Sequence, residues 1–179
     1  MTHHPFPKWT YHEVMTRWLT PEEQQVWRGF LRLQRDVPAT LSRQLVRDSG
    51  LSGAEYAVLV SLSETQSERL RPVGLMEILD WEQSRVSHQL TRMERRGLIA
   101  RQECPSDGRG AFVVLTDAGR DALASAAPGH VAMVRRLIFD QLTEDEIQQF
   151  GDICAKILRA VEEAQPASGC TGPSEGCRS

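Results

Sequence analysis

The periodicity of the chain changes character once in a way that constrains everything else, between Glu82 and Leu115. In the segment EQSRVSHQLTRMERRGLIARQECPSDGRGAFVVL, Val86, Leu90, Met93 and Gly97 recur at i, i+4, i+7 and i+11, which makes one narrow apolar stripe on a helix. At about 100° per residue, the side opposite Val86 carries Ser84, His88, Thr91 and Arg95, with Arg85 and Arg92 on the flank. A surface helix needs a polar face merely to be solvated. Here, however, Ser, Thr, His and Gln can bond base edges, the arginines can pair with phosphate or guanine, and Glu94 is the one carboxylate inside the run. This sorting of groups favours nucleic-acid contact over a plain solvated face.

After Gly97 the pattern shortens. Residues 98–104 and 111–115 read as strands, and residues 105–110 (PSDGRG) read as a turn-rich loop of six residues. A hairpin with a glycine-flanked arginine, Arg109, at its tip is a wing suited to a narrow minor groove. In an ordinary hairpin loop Asp107 pairs with Arg109, and the same pairing can also orient Arg109 toward DNA. Upstream, Pro72 begins a short helix whose Val73, Met76 and Leu79 pack beneath the basic helix, with Asp80, Trp81 and Glu82 as a tight turn between the two. Two helices joined in this way form a helix-turn-helix.

Helix starts are marked by Thr20-Pro21-Glu22-Glu23, Ser52-Gly53-Ala54-Glu55, Thr116 and Thr143-Glu144-Asp145-Glu146. They place helices over residues 21–48, 52–65, 72–80, 83–97, 117–141 and 143–164. Pro38 is expected to kink the first helix or end it early, and Pro128-Gly129 to bend the fifth. The second, with Tyr56, Leu59, Val60 and Leu62, is expected to be largely buried. The first helix carries Val26, Phe30, Leu33, Val37, Leu41 and Leu45, and the last carries Ile147, Phe150, Ile153, Cys154, Ile157, Leu158 and Val161. Stripes this wide beside an already complete winged unit argue for a homodimer, with an intrachain bundle as the competing arrangement. The expected fold is mainly α with a small β-hairpin wing, a winged helix-turn-helix with N- and C-terminal dimerisation helices. Its expected divisions are an aromatic extension at 1–19, a dimerisation helix at 20–51, the DNA-binding domain at 52–116, further dimerisation helices at 117–164 and a disordered Gly, Ser and Pro-rich tail at 165–179.

A net charge of −3 is at first sight wrong for a DNA-binding chain. Resolved along the sequence it separates: residues 82–110 hold six arginines against four acidic residues, and residues 140–163 hold seven acidic residues against Lys156 and Arg159. An approaching phosphate backbone feels the local potential. No apolar run approaches the roughly 20 residues that span a bilayer, and the N-terminus lacks a signal-peptide pattern, so a cytoplasmic protein without membrane contact is expected. The four cysteines, Cys104, Cys154, Cys170 and Cys177, include no CxxC pair and are expected to be reduced thiols. A redox switch at Cys104 or Cys154 is the alternative mode of regulation, and a protein-interaction module the alternative function. His3, His4 and His12 have no carboxylate or Cys spacing that completes a metal site. No phosphate loop, G-x-S-x-G, H-E-x-x-H or paired Cys ligands appear, so neither an enzyme nor a cofactor is expected.

Over about residues 20–164 the chain resembles the MarR family of bacterial winged-helix repressors, most strongly from Ser84 to Gly119. SRVSHQLTRMERRGLI is similar to the family's recognition helix, DGRG to its wing, and the D-x-R (Asp107, Arg109) and L-T-x-x-G (Leu115, Thr116, Gly119) patterns fall at matching distances. WLTPEEQQVWRGFL resembles an actinobacterial subgroup. The resemblance implies a homodimer on a pseudo-palindromic double-stranded DNA operator, with recognition positions Ser84, Arg85, Ser87, His88, Thr91 and Arg92 and a wing position Arg109. It also implies a small aromatic or anionic effector held between the winged unit and the dimerisation helices, its lining drawn by analogy from Trp18, Trp27, Arg28 and Tyr56. Asp80 and Trp81 stand in a turn where the family often has Gly first.

Overall fold

The computed structural model describes residues 17–104 and 107–164, and their side chains except those of 103–110. The expected aromatic extension with its histidines, apart from Arg17, Trp18 and Leu19, and the expected tail lie outside the described residues. Trp18 itself is not helical and stands 79% exposed.

The elements are α1 (Pro21–Ser49), α2 (Gly53–Ser63), β1 (Arg69–Leu70), α3 (Pro72–Leu79), α4 (Gln83–Arg95), β2 (Ile99–Cys104), β3 (Asp107–Leu115), α5 (Asp117–Leu137), a 3-10 turn (Phe139–Gln141) and α6 (Glu144–Ala164). The helix starts follow from their caps. Thr20 Oγ1 accepts the Glu23 N–H at 3.2 Å while the Glu23 carboxylate accepts the Thr20 N–H at 2.8 Å. Ser52 with Glu55 and Thr143 with Glu146 repeat this reciprocal box. Each such cap contributes about 1 kcal/mol by satisfying helix-end donors that have no intrahelical partner.

Neither proline ends its helix. Pro38 lies within α1 and Pro128 within α5, and both helices run on, to Ser49 and Leu137. Pro38 and Gln34, the residue whose carbonyl loses its partner, are both exposed, as are Pro128 and Ala124, so water can take the freed carbonyls. The fifth helix does close earlier than expected, and the 3-10 turn takes up the following residues.

The wing differs in two respects from its expected form. β3 begins at Asp107, paired opposite Cys104, so residues 107–110 belong to the strand, across a register shift, rather than to a six-residue loop. Gly108 and Gly110 fall where the register shifts between Glu103 and Cys104, an irregularity in which glycine is readily accommodated. In addition, β1 adds a third strand, giving the antiparallel order β1-β3-β2 with Arg69 opposite Val114. Two residues are too few to show a period of two, so this strand is invisible to pattern.

The core gathers Leu45 and Leu51 around α1's end, Val58, Leu59 and Leu62 of α2, Leu75 of α3, Val86, Leu90 and Met93 of α4, the strand residues Ile99, Val113 and Leu115, and Ala126 of α5. The N-terminal half of α1 and the whole of α6 stay outside it. Phe150, Ile153, Ile157, Leu158 and Val161 of α6 are 47–59% exposed, so among the described residues no intrachain bundle covers that stripe.

The L-T-x-x-G pattern acquires a physical reason at the start of α5. Thr116 Oγ1 accepts the Gly119 N–H at 3.0 Å and donates to the Gly97 carbonyl at 2.6 Å, tying α5 to the end of α4. Gly119 faces the Leu98 carbonyl so closely that an added Cβ would stand 2.1 Å from its oxygen. That oxygen is backbone in a strand-leading turn and cannot swing away. Gly119→Ala should therefore lower stability by about 3 kcal/mol, measured by urea unfolding; a variant as stable as the parent would refute the close approach.

Candidate nucleic-acid interface

The turn that sets α4 against α3 is made by Asp80 in the left-handed region (φ +49°), with its own N–H and that of Trp81 closing on the Met76 carbonyl, the latter at 3.1 Å. A short polar side chain tolerates this conformation better than other non-glycine residues. The apolar stripe behaves as expected, with Val86, Leu90 and Met93 at most 2% exposed. Gly97 is not part of it. It takes a positive φ of +71° after the helix, where its N–H bonds the Glu94 carbonyl and that of Leu98 bonds the Met93 carbonyl, a Schellman closure that needs glycine.

Opposite the stripe, Ser84, Arg85, Ser87, His88, Arg92 and Arg95 are exposed on one helix, and Thr91 is half-buried. The Thr91 hydroxyl donates to the Ser87 carbonyl at 2.9 Å, leaving its lone pairs as the outward function. Gln89 is buried and accepts from the Arg92 guanidinium, so it holds an arginine in place and is not itself available to a base. Arg85 lies 4.1 Å over the Trp81 ring, a cation–π contact that fixes the first cation of the helix. The backbone of Asp107 and Arg109 forms part of β3, while their side chains are not among those described.

The far end of α4 is anchored by Arg96. Its guanidinium pairs with Glu55 at 2.7 Å and donates to the Gly50 carbonyl at 3.2 Å, joining α4 to the start of α2. Burial pushes the Glu55 carboxyl up, but hydrogen bonds from the Ser52 amide and hydroxyl, together with Arg96, outweigh it and hold the pKa below the ordinary carboxylate value. Nothing in the local pattern marks this pair, because the two residues are 41 positions apart. Arg69 and Arg71 beside the wing are likewise absent from the sequence-derived interface; the signal for them was the R-x-R preceding Pro72. A groove of about 400 Å³ between α3, α4 and the sheet is lined by Arg71, Gln83, Ser87 and Arg101 among others, with Arg101 also 3.3 Å from Glu94.

The four residues proposed for an effector pocket are not brought together. Tyr56 packs against His130 with ring centres 4.5 Å apart, in a cavity of about 390 Å³ between α1, α2, α5 and the start of α4 that Trp81 and Arg85 also line. Burial raises the Tyr56 pKa and lowers that of His130, whose Nδ1 is buried without a hydrogen-bond partner among the described residues. Trp27 instead stacks on Phe30 and lines a separate apolar gap of about 660 Å³ between α1 and α6, together with Cys154. Trp18 and Arg28 line neither space. Among the described residues no group of three His, Cys, Asp or Glu could hold a metal, and no helix is long and apolar enough to cross a membrane.

A helix-turn-helix whose second helix is polar and cationic outward, followed at once by an antiparallel hairpin, defines a winged-helix DNA-binding protein. The MarR family model matches residues 49–110. Two solved Streptomyces coelicolor regulators of that family are similar: Sco3205, in complex with DNA, at 41% identity over 85% of this chain and 93% of its own (TM-score 0.77), and AbsC at 37% over 83% and 99% (TM-score 0.75). The HTH-type transcriptional regulator YkoM of Bacillus subtilis is 30% identical over 127 residues, 69% of this chain and 78% of its own length. The chain belongs to the MarR family of transcriptional regulators.

Because Glu55 is held below its unfolded value, its contribution to stability is present above the ordinary carboxylate pKa of about 4.3 and is lost as pH falls through the depressed folded value. Glu55→Gln should flatten this acid limb and lower stability near neutral pH by about 2 kcal/mol. Thermal unfolding followed between neutral and acid pH reads both effects, and parallel curves for the two proteins would contradict the assignment.

Proposed function

We propose that the chain is a homodimeric repressor that binds a pseudo-palindromic operator and responds to a small effector. The observation that carries the DNA-reading assignment is the α4 surface: Ser84, Arg85, Ser87, His88, Arg92 and Arg95 stand exposed on a helix fixed by Val86, Leu90 and Met93. In this reading α4 enters a major groove, His88 and Arg92 contact base edges, Thr91 accepts, and Arg109, set by Asp107, enters the flanking minor groove. Two copies reach half-sites about one helical turn, near 10 bp, apart.

The surface left for the second copy is the apolar face of α1 and α6. Val26, Phe30, Ile153 and Ile157 have no partner that covers them within the described chain, and a soluble monomer seldom exposes so much contiguous apolar surface. The cavity holding Tyr56 and His130 lies between the winged unit and α1 and suits a small aromatic effector; binding there would shift the spacing of the two recognition helices through its different affinity for the two arrangements. Repression follows from occupation of the operator, as the family resemblance implies.

The reading is tested by fluorescence anisotropy on a duplex from the region upstream of the gene against a shuffled duplex, at physiological salt. Preference for the upstream duplex is expected, with His88→Ala and Arg92→Ala each losing about 1–3 kcal/mol of it and Arg109→Ala weakening both duplexes alike. Equal affinity of the parent protein for the two duplexes would sink the proposal. Ile157→Glu should convert a dimer of two 20.1 kDa chains into monomers by analytical ultracentrifugation. A parent protein that sediments as a monomer, or a variant that stays dimeric, would remove this face from the interface.

A further inference from the structure

One cationic cluster lies outside both the recognition helix and the wing tip. Arg69 sits on β1 opposite Val114, so it shares a sheet face with Phe112, two residues away on β3. The guanidinium carbons of Arg69 and Arg71 stand 4.9 and 5.2 Å from the centre of the Phe112 ring, within cation–π range. Two exposed cations are thus carried by one half-buried aromatic. Arg71 also lines the groove whose opposite wall holds Gln83 and Ser87 of α4. The cluster therefore runs from the floor between α3 and α4 onto the root of the wing.

The shape of duplex DNA dictates what passes over this place. With α4 in a major groove and the wing in the adjacent minor groove, the sugar-phosphate ridge that separates the grooves must cross the space between them. That space is the groove lined by Arg71. A group that meets phosphate gains from a planar fork of donors, and a side chain already held on a ring loses less freedom on binding.

We infer that Arg71 and Arg69, held by Phe112, form a phosphate clamp on the backbone between recognition helix and wing. The inference rests on the docking mode proposed above. The clamp is blind to sequence: it supplies affinity and registers α4 on the duplex without choosing bases. Phe112 is a positioning residue that touches no DNA in this scheme.

The test uses the full chain, with Arg69→Ala, Arg71→Ala, the double variant, Phe112→Leu and Phe112→Trp, titrated across a salt series on the upstream and the shuffled duplex. Each arginine change should weaken both duplexes by the same factor, about 3- to 10-fold. The double variant should also flatten the slope of log K against log salt by about 0.9 for each phosphate that is no longer neutralised. Phe112→Leu keeps both charges and should still weaken binding, while Phe112→Trp, which retains a stacking face, should restore it. Circular dichroism melting confirms that each variant is folded, and the exposed arginine changes serve where a Phe112 variant is not. A double variant with unchanged affinity and slope overturns the clamp, and a loss confined to one duplex would assign base reading to these arginines instead. Because the slope is measurable on shuffled DNA, a protein without operator preference would defeat the regulator reading while leaving the clamp separately decided.

Discussion

The structure turns on a junction of three consecutive residues, 96–98, where four elements meet. Arg96 reaches back to Glu55 and the Gly50 carbonyl, the Gly97 carbonyl receives the Thr116 hydroxyl, and the Leu98 carbonyl lies against Gly119. One turn of chain thereby fixes the end of α4 to α2, the start of β2 and the start of α5. The residues proposed to read DNA on α4 are only as well placed as this junction, because exposed arginines have little packing of their own. The Schellman closure at Gly97 makes the change of direction compatible with a fully bonded backbone.

Charge and apolar surface are separated along the chain in keeping with this arrangement. Residues 82–110, which hold α4 and the wing, carry six arginines against four acidic residues, whereas residues 140–163, on the 3-10 turn and α6, carry seven acidic residues against Lys156 and Arg159. Such segregation is compatible with a slightly negative overall charge while leaving a locally positive balance at the surface proposed for DNA. The apolar face of α6 and the first half of α1 lies away from the winged core, so the surface proposed for the second copy and the surface proposed for DNA do not compete.

Much of this was legible before any coordinates. The reciprocal boxes at Thr20, Ser52 and Thr143 and the stripe of Val86, Leu90 and Met93 are local patterns, and local patterns place helices well. Long-range partners were not legible. Glu55 and Arg96 are ordinary capping and helix-end residues until the fold brings them together, and β1 exists only because β3 offers it hydrogen bonds. Whether Pro38 would end its helix was not legible either, because the cost of a helical proline depends on whether the freed carbonyl faces water, which composition does not reveal. The effector lining was the least legible part: analogy grouped Trp18, Trp27 and Arg28 with Tyr56, whereas Trp27 lines a different space from the cavity that holds Tyr56.

The uninterrupted course of α1 through Pro38 has a geometric consequence. Its 29 residues extend about 44 Å at 1.5 Å per residue, with Gln44 and Leu45 seated in the core at one end and bare apolar side chains at the other. A helix of that kind transmits rotation in phase, each residue adding about 100°. In the proposed dimer it acts as a ruler and a protractor together. The distance and the relative azimuth of the two recognition helices are then written into the number of residues between the core and the subunit contact.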